Sequence, residues 1–224
     1  MKFENTEVWG FEHAIRGMRN PLESWSKSDS EYNSGNFCDS EFIVGSNDLE
    51  LMQKLIKAGT PHRKFLRQIF VSVDITAPLY WWKEFDTYKV GTTSNSTSTM
   101  HKLASTPITK ECFEMDDFSE IPLPNGWSNN TYVWNKYIIP YLELLREEYN
   151  ETKDKRFWKE LIRILPESWL QTRTITMNYE NILNMIEFRK DHKLNEWSGK
   201  DNPEKPNFMS WVKSLPYAEY LFFL

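Results

Sequence analysis

Residues Leu165–Trp197 read LPESWLQTRTITMNYENILNMIEFRKDHKLNEW. Pro166 closes what precedes it, because a proline pushes the residue before it out of the helical region. Arg173 to Met177 then reads as extended chain. Asn178 or Asn181 can cap a helix expected to reach about Trp197, since an asparagine oxygen accepts the orphan amides of a first turn. At 100° per residue, Asn178, Asn181 and Arg189, with Lys193 one turn on, lie broadly on one side of it, beside the apolar Ile182, Met185 and Ile186. Asn184, Arg189 and Asn195 do not fall at neat three- and four-residue intervals from Asn178. Taken alone, the stripe is an ordinary solvated helix face.

Working outward, Phe11 to Arg19 reads as a short helix stopped near Asn20-Pro21, and Ser24 to Asp39 as a polar loop. Asn47 or Asp48 is expected to cap a helix running to Ala58, with Leu51, Met52, Leu55 and Ile56 on one face and Gly59 as its stop. Ile69, Val71, Val73 and Ile75 alternate with more polar neighbours, which predicts a strand over Gln68–Ile75. Pro78 suits the first turn of a helix through Leu79–Lys89. Gly91 to Thr99, GTTSNSTST, reads as a loop with free hydroxyls and amides, and solvation is its commonest fate. Pro122 to Asn130 reads as a turn-rich connection.

Tyr132–Tyr149 has the pattern of a long amphipathic helix, with Val133, Tyr137, Ile138, Tyr141, Leu142 and Leu145 inward and a kink at Pro140. Lys155–Leu165 reads as another helix. After a break at Ser198–Asn207, Phe208–Ser214 is a last helical piece. The apolar Tyr217–Leu224 must then pack on the chain or meet a partner. One strand among many helices predicts an α+β fold in a single domain, 1–224.

The chain has 224 residues, 40% hydrophobic and 26% charged, enough for one substantial core. Mean hydropathy is −0.63, and no apolar run approaches a membrane span. The first residues lack the basic flank and apolar stretch of a secretory signal, so a cytoplasmic protein is expected. A net charge of −5 does not suit binding to a nucleic-acid polymer, though a local basic pocket for one phosphate remains compatible with it. Cys38 and Cys112 stand far apart and form no C-x-x-C pair, two cysteines are too few for a disulfide framework, and the sequons at Asn95, Asn129 and Asn150 read as chance. His13, His62, His101 and His192 are scattered, so no metal site is expected. No H-E-x-x-H, G-x-S-x-G, Walker or G-x-G-x-x-G motif occurs. The ten tryptophans belong mostly to the core, with a minority free to form a stacking wall for a flat ligand.

Two blocks, 48–103 and 157–197, resemble the flavin-dependent thymidylate synthase family in the same order. In that family an L-P precedes a Thr-rich stretch and a helix-opening Asn, an Arg follows eleven residues later, and a Gln six beyond. Here Leu165-Pro166, Thr174, Thr176, Asn178 and Arg189 keep type and spacing, with Asn195 at the Gln position. Gly59-Thr60-Pro61 matches the end of the family's H-G-H-E-T-P. Ala77-Pro78 matches its A-P, and Asn95 and Ser98 match its N-[EQ]-x-S. The family's Arg-His-Arg falls at Thr87-Tyr88-Lys89, its nucleotide-binding Gln at Glu84, its acidic or amide residue at Ser96 and the Arg after its Ser at Met100. The Arg before its L-P falls at Ile162, with Arg163 adjacent. Residues 198–224 form a divergent extension.

The resemblance implies an antiparallel sheet flanked by helices and a homotetramer with sites between subunits. It implies FAD, with NADPH and methylene-tetrahydrofolate as co-substrates, and a pyrimidine nucleotide such as dUMP methylated at C5. It puts Arg189 at the uracil edge as the catalytic residue, Lys89, Asn178, Asn184 and Asn195 on the flavin, and Glu84, Asn95, Ser96, Ser98 and Arg163 on the substrate. Arg16 and Arg19 are further phosphate candidates, in place of the Arg lost at Met100, although residues on a short helix are more often solvated. Two alternatives remain: a non-catalytic nucleotide- or flavin-binding protein on this scaffold, and a Trp-rich ligand-binding module.

Overall fold

The computed structural model describes residues 1–33, 41–122 and 128–224. Cys38 and parts of the Ser24–Asp39 and Pro122–Asn130 segments lie outside them. In chain order the elements are β1 (Lys2–Trp9), α1 (Phe11–Arg19), β2 (Glu31–Tyr32), β3 (Phe42–Ile43), α2 (Ser46–Lys57), β4 (Phe70–Pro78), α3 (Leu79–Phe85), β5 (Thr93–Ser96) and α4 (Thr99–Lys102). Then follow α5 (Asn130–Val133), α6 (Ile139–Thr152), α7 (Lys155–Arg163), β6 (Leu170–Asn178), α8 (Tyr179–Arg189), α9 (Asn195–Ser198), α10 (Phe208–Lys213) and α11 (Ala218–Leu221). The architecture is α+β, an antiparallel sheet of order β1-β4-β6-β5 with flanking helices, plus a small β2-β3 hairpin. Among the described residues no helix is long and apolar enough to cross a membrane.

The four-stranded sheet contains the strand expected over Gln68–Ile75, as β4, and the extended chain expected over Arg173–Met177, as β6, and adds β1 and β5. β1 escapes the sequence because only Phe3 and Val8 of its residues are even half-buried, so it shows no apolar alternation. β5 falls in the stretch read as loop, and all four of its residues are exposed. Both are edge strands, whose outer sides need no apolar pattern.

The chain groups into two compact units, one of Met1, 75–87 and 95–173, the other of 2–74, 88–94 and 174–224. In the first, α6 and α7 form a hairpin whose Leu142, Leu145 and Leu161 are buried with Leu103, Ile108 and Phe113. Lys153 turns the chain at φ 56°, and Asp154 caps α7 by accepting the Arg156 amide at 2.9 Å. A π-helical turn, Trp134–Ile138, precedes Pro140, which lacks the N–H that a continuous helix needs there. Tyr137 and Tyr141, expected inward, are 56% and 50% exposed. The widened turn rotates them off the buried face that Leu142 and Leu145 keep.

In the second unit Tyr179 is fully buried, edge-on to Phe11 at 5.6 Å and 4.9 Å from Phe222. Its hydroxyl donates to the Pro216 carbonyl at 2.7 Å, and burial pushes the phenol pKa well up. The Tyr217 hydroxyl accepts the Val44 amide at 2.9 Å. Ala218, Leu221 and Phe222 are buried by the chain itself, while Tyr220 and Leu224 stay exposed. Full burial of Leu221 alone contributes about 2 kcal/mol.

Asp48 does not cap α2. Gly45 occupies the cap position, and the Asp29 carboxylate accepts the amides of Asn47 at 2.9 Å and Asp48 at 3.1 Å. Asp48 is wholly buried and faces the other way, accepting Arg19 Nε, Ser28 Oγ and Ser30 Oγ, each at 2.6 Å. Arg19 is therefore 4% exposed and paired, not solvated and not open to a phosphate, whereas Arg16 is exposed. The helix expected over Leu79–Lys89 ends at Phe85, and the helix expected to run from Asn178 to Trp197 ends at Arg189. Lys190 to Lys193 offers no apolar residue to bury, and the His192 Nδ1 accepts the Leu194 amide at 3.1 Å, turning the chain before α9.

Candidate functional site

β6 ends where Asn178, extended at φ −125° and ψ 169°, becomes the cap of α8. Its Oδ1 accepts the Asn181 amide at 3.0 Å while Asn181 Oδ1 accepts the Asn178 amide at 3.1 Å, so two orphan donors are satisfied reciprocally. Asn181 Nδ2 then donates to the Val90 carbonyl at 2.7 Å. The neighbouring Gly91, at φ +79°, lies so close that a Cβ there would sit 3.0 Å from Asn181 Oδ1 and 3.2 Å from Asn178 Nδ2. The Tyr88–Ser94 turn is thus tied to the first turn of α8, and Thr92 Oγ1 closes it on the Tyr88 carbonyl at 2.6 Å.

The same turn is tied to the far end of α8. Arg189 Nε donates to the Tyr88 hydroxyl at 2.9 Å. The guanidinium carbon lies 5.4 Å from the Tyr88 ring centroid and 4.9 Å from that of the buried Trp197. An arginine held through Nε and against an indole has its plane fixed, which turns a floppy cation into an oriented donor. Trp197 is itself fixed: Phe208 meets it edge-on at 5.2 Å. The loop after it is closed by Asn195, whose Oδ1 accepts the amides of Asp201 and Asn202 and whose Nδ2 donates to the Asn202 carbonyl.

The residues expected at a site separate into groups. Asn178 and Arg189 sit at opposite ends of an 11-residue helix, about 16 Å apart by its rise. Asn184, between them, accepts Arg63 Nη2 at 3.0 Å, and Arg63 Nε donates to the buried Glu180 at 3.2 Å. Asn195 spends both ends of its amide on its own loop. Lys89 is exposed on the turn beside Tyr88.

Glu84, Asn95, Ser96, Ser98 and Arg163 belong to the other unit. Ser98 caps α4, accepting the His101 amide at 3.2 Å, and Asn95 and Ser96 are exposed on β5. Glu84 is half-buried on α3, and Arg163 is exposed and paired with Glu160 at 3.3 Å. In that unit Arg173 was not anticipated. It donates to Asp86 at 2.7 Å and to Gln171 at 3.0 Å, and stacks 4.2 Å from the Trp82 ring centroid. Arg63, Tyr88 and Trp197 were also missed, since their contacts join positions far apart in sequence. Among the described residues no group of three His, Cys, Asp or Glu stands ready for a metal.

No family model matches the sequence, and no curated protein is similar to it. Solved structures are. The chain is similar to the flavin-dependent thymidylate synthase ThyX from Helicobacter pylori complexed with FAD and dUMP, at 18% identity and a TM-score of 0.66, over 99% of this chain and 98% of that one. It is similar to the UMP/dUMP methylase PolB from Streptomyces cacaoi bound with 5-Br dUMP, at 14% identity and a TM-score of 0.60, over 99% of this chain and 94% of that one. The resemblance read from the two sequence blocks therefore holds for the fold along nearly the whole chain.

Proposed function

We propose that this chain is a divergent flavin-dependent thymidylate synthase-like enzyme that methylates C5 of a pyrimidine nucleotide, dUMP or a close relative. The observation that carries this reading is the Arg189 guanidinium, fixed by Tyr88 and Trp197 at the end of a capped helix. Two of the solved structures that share this fold were crystallised with dUMP and with 5-Br dUMP. An oriented guanidinium at the ring edge near N3 favours the ionised pyrimidine and so enriches C5 in electron density. That is the work Arg189 would do.

The residues present fit a flavin through donors. The oxygens of Asn178 and Asn184 are each tied to an internal donor, which leaves their amide N–H groups toward acceptors such as ring carbonyls. Lys89 adds a cation for a phosphate, and Asn195 drops out. Reduced FAD, replenished by NADPH, would supply the electrons that turn a one-carbon unit from methylene-tetrahydrofolate into a methyl group. The length of α8 favours separate ligands at its two ends, since a mononucleotide does not span about 16 Å. A homotetramer with shared sites belongs to the same reading.

A second reading, nucleotide or flavin binding without turnover, is favoured by one observation. The Thr87–Lys89 segment carries a single cation, and its Tyr88 hydroxyl is engaged with Arg189. The visible spectrum of the purified protein, with flavin released by heat, separates the two when joined to an assay of dUMP methylation. Flavin with turnover supports the enzyme. Binding of dUMP without turnover supports the second reading, and neither ligand binding removes both.

A further inference from the structure

Within the second unit, a cavity of about 510 Å³ lies between one face of α1 and the β2-β3 hairpin. Small-molecule sites usually fall in the range of about 300–1,000 Å³. Its residues run from Glu12 to Phe42, outside both blocks that carry the family resemblance. α1 presents Glu12, Ile15, Arg16 and Arg19 to it, at the three- and four-residue spacing of a single helix face. Three rings complete the walls, Trp25, Tyr32 and Phe42, beside the buried Ile15. Trp25 and Tyr32 are 49% and 52% exposed. Exposed rings gathered about one hollow, unlike apolar residues scattered singly, mark a binding surface.

The rings are held in place. Trp25 Nε1 donates to Asn20 Oδ1 at 2.9 Å, and the Tyr32 hydroxyl donates to Glu12 at 2.8 Å. The hairpin register sets Tyr32 opposite Phe42, and the two rings meet at 67° with centroids 5.1 Å apart. The segment leading into Tyr32 is anchored on the buried Asp48 carboxylate, which accepts the hydroxyls of Ser28 and Ser30 at 2.6 Å each and the Ser30 amide at 3.2 Å. Walls fixed in advance spare a ligand the entropy of ordering them.

Shape and charge choose the occupant. Two rings meeting at 67° form a corner and not the parallel slot that a flat ring needs. A corner faced by a third ring suits a rounded group. Arg19 is neutralised by Asp48 at 2.6 Å. The charges left on the lining are the Glu12 and Glu31 carboxylates and the Arg16 guanidinium, which forms no ion pair among the described residues. Two carboxylates and three ring faces, tryptophan's above all, favour a cation. Arg16 favours an anionic group in the same molecule.

We propose that this cavity binds a trimethylammonium zwitterion, its rounded cation among Trp25, Tyr32 and Phe42 and its anionic group on Arg16. The site is independent of the role given to Arg189.

Calorimetric titration with phosphocholine, choline and dimethylbutanol, the uncharged tert-butyl isostere of choline, tests this. Phosphocholine is expected to bind saturably, at least about tenfold tighter than dimethylbutanol and several-fold tighter than choline. Trp25→Ala is expected to lose about tenfold in affinity for both cations, with the melting temperature unchanged. Arg16→Gln is expected to bring phosphocholine down to the affinity of choline and to leave choline binding as it is. Sedimentation with phosphatidylcholine vesicles distinguishes the sources of the ligand. Cosedimentation that Trp25→Ala abolishes assigns the site to a lipid headgroup, and phosphocholine binding without cosedimentation assigns it to a free molecule. The proposal is overturned if neither cation binds, if dimethylbutanol binds as tightly as choline, or if either variant binds phosphocholine as wild type does.

Discussion

The Tyr88 hydroxyl accepts the Nε–H of Arg189 at 2.9 Å, joining positions 101 residues apart. Tyr88 occupies the middle of the segment where the resembling family has Arg-His-Arg. In this chain that position orients the arginine of α8.

Tyr88→Phe keeps the ring beside Arg189 and removes the acceptor. The expected result is a small loss of stability, about 1 kcal/mol, with dUMP affinity down several-fold because the guanidinium plane is no longer fixed. Urea unfolding and calorimetry measure the two. A large loss of stability with unchanged dUMP affinity would make the contact purely structural.

Gly91→Ala introduces a Cβ at φ +79°, 3.0 Å from Asn181 Oδ1. Left-handed backbone costs a non-glycine residue roughly 1–2 kcal/mol, and here the new methyl also presses on the capping pair. Destabilisation of at least about 1 kcal/mol is expected, with loosening of the Tyr88 turn seen as faster amide exchange at Asn181. Wild-type stability in this variant would show that the turn has room the distances deny.

What was legible in the sequence is what acts locally. Asn178 could be read as a cap because its oxygen meets an amide three residues on, and Ile69, Val71, Val73 and Ile75 announced β4 by their alternation. β1 could not be read, since an edge strand with two polar-looking sides has no period to detect. Arg189 was found through spacing matched to a family, and its neighbours were not, because Tyr88 and Trp197 reach it only through the tertiary fold. Asn195 was assigned to a ligand by position alone, and its amide turns out to close the loop that fixes Trp197.

Asp48 gives a pH-dependent expectation. Burial pushes its carboxyl up, but hydrogen bonds from Ser28, Ser30 and Arg19, with the Arg19 charge, outweigh burial and hold it below the ordinary value. A carboxyl depressed on folding stabilises at pH values above its unfolded pKa, about 3.9, and that stability is lost as pH falls through the lower folded value. Asp48→Asn should cost about 3–5 kcal/mol at pH 7, the scale of a broken buried pair, and should flatten the acid limb of stability against pH. Denaturant unfolding at several pH values checks both. An acid limb as steep as wild type would assign the acid sensitivity to other carboxylates.

Calorimetric titration of dUMP into wild type, Arg189→Ala and Arg189→Lys tests the central claim most directly. Wild type should bind. Arg189→Ala should lose roughly 1.5–3 kcal/mol, the scale of a hydrogen bond to a charged group. Arg189→Lys should recover little, because a point charge does not reproduce a planar two-donor edge held against Trp197. Equal affinity in all three proteins would contradict the assignment of Arg189 to the pyrimidine.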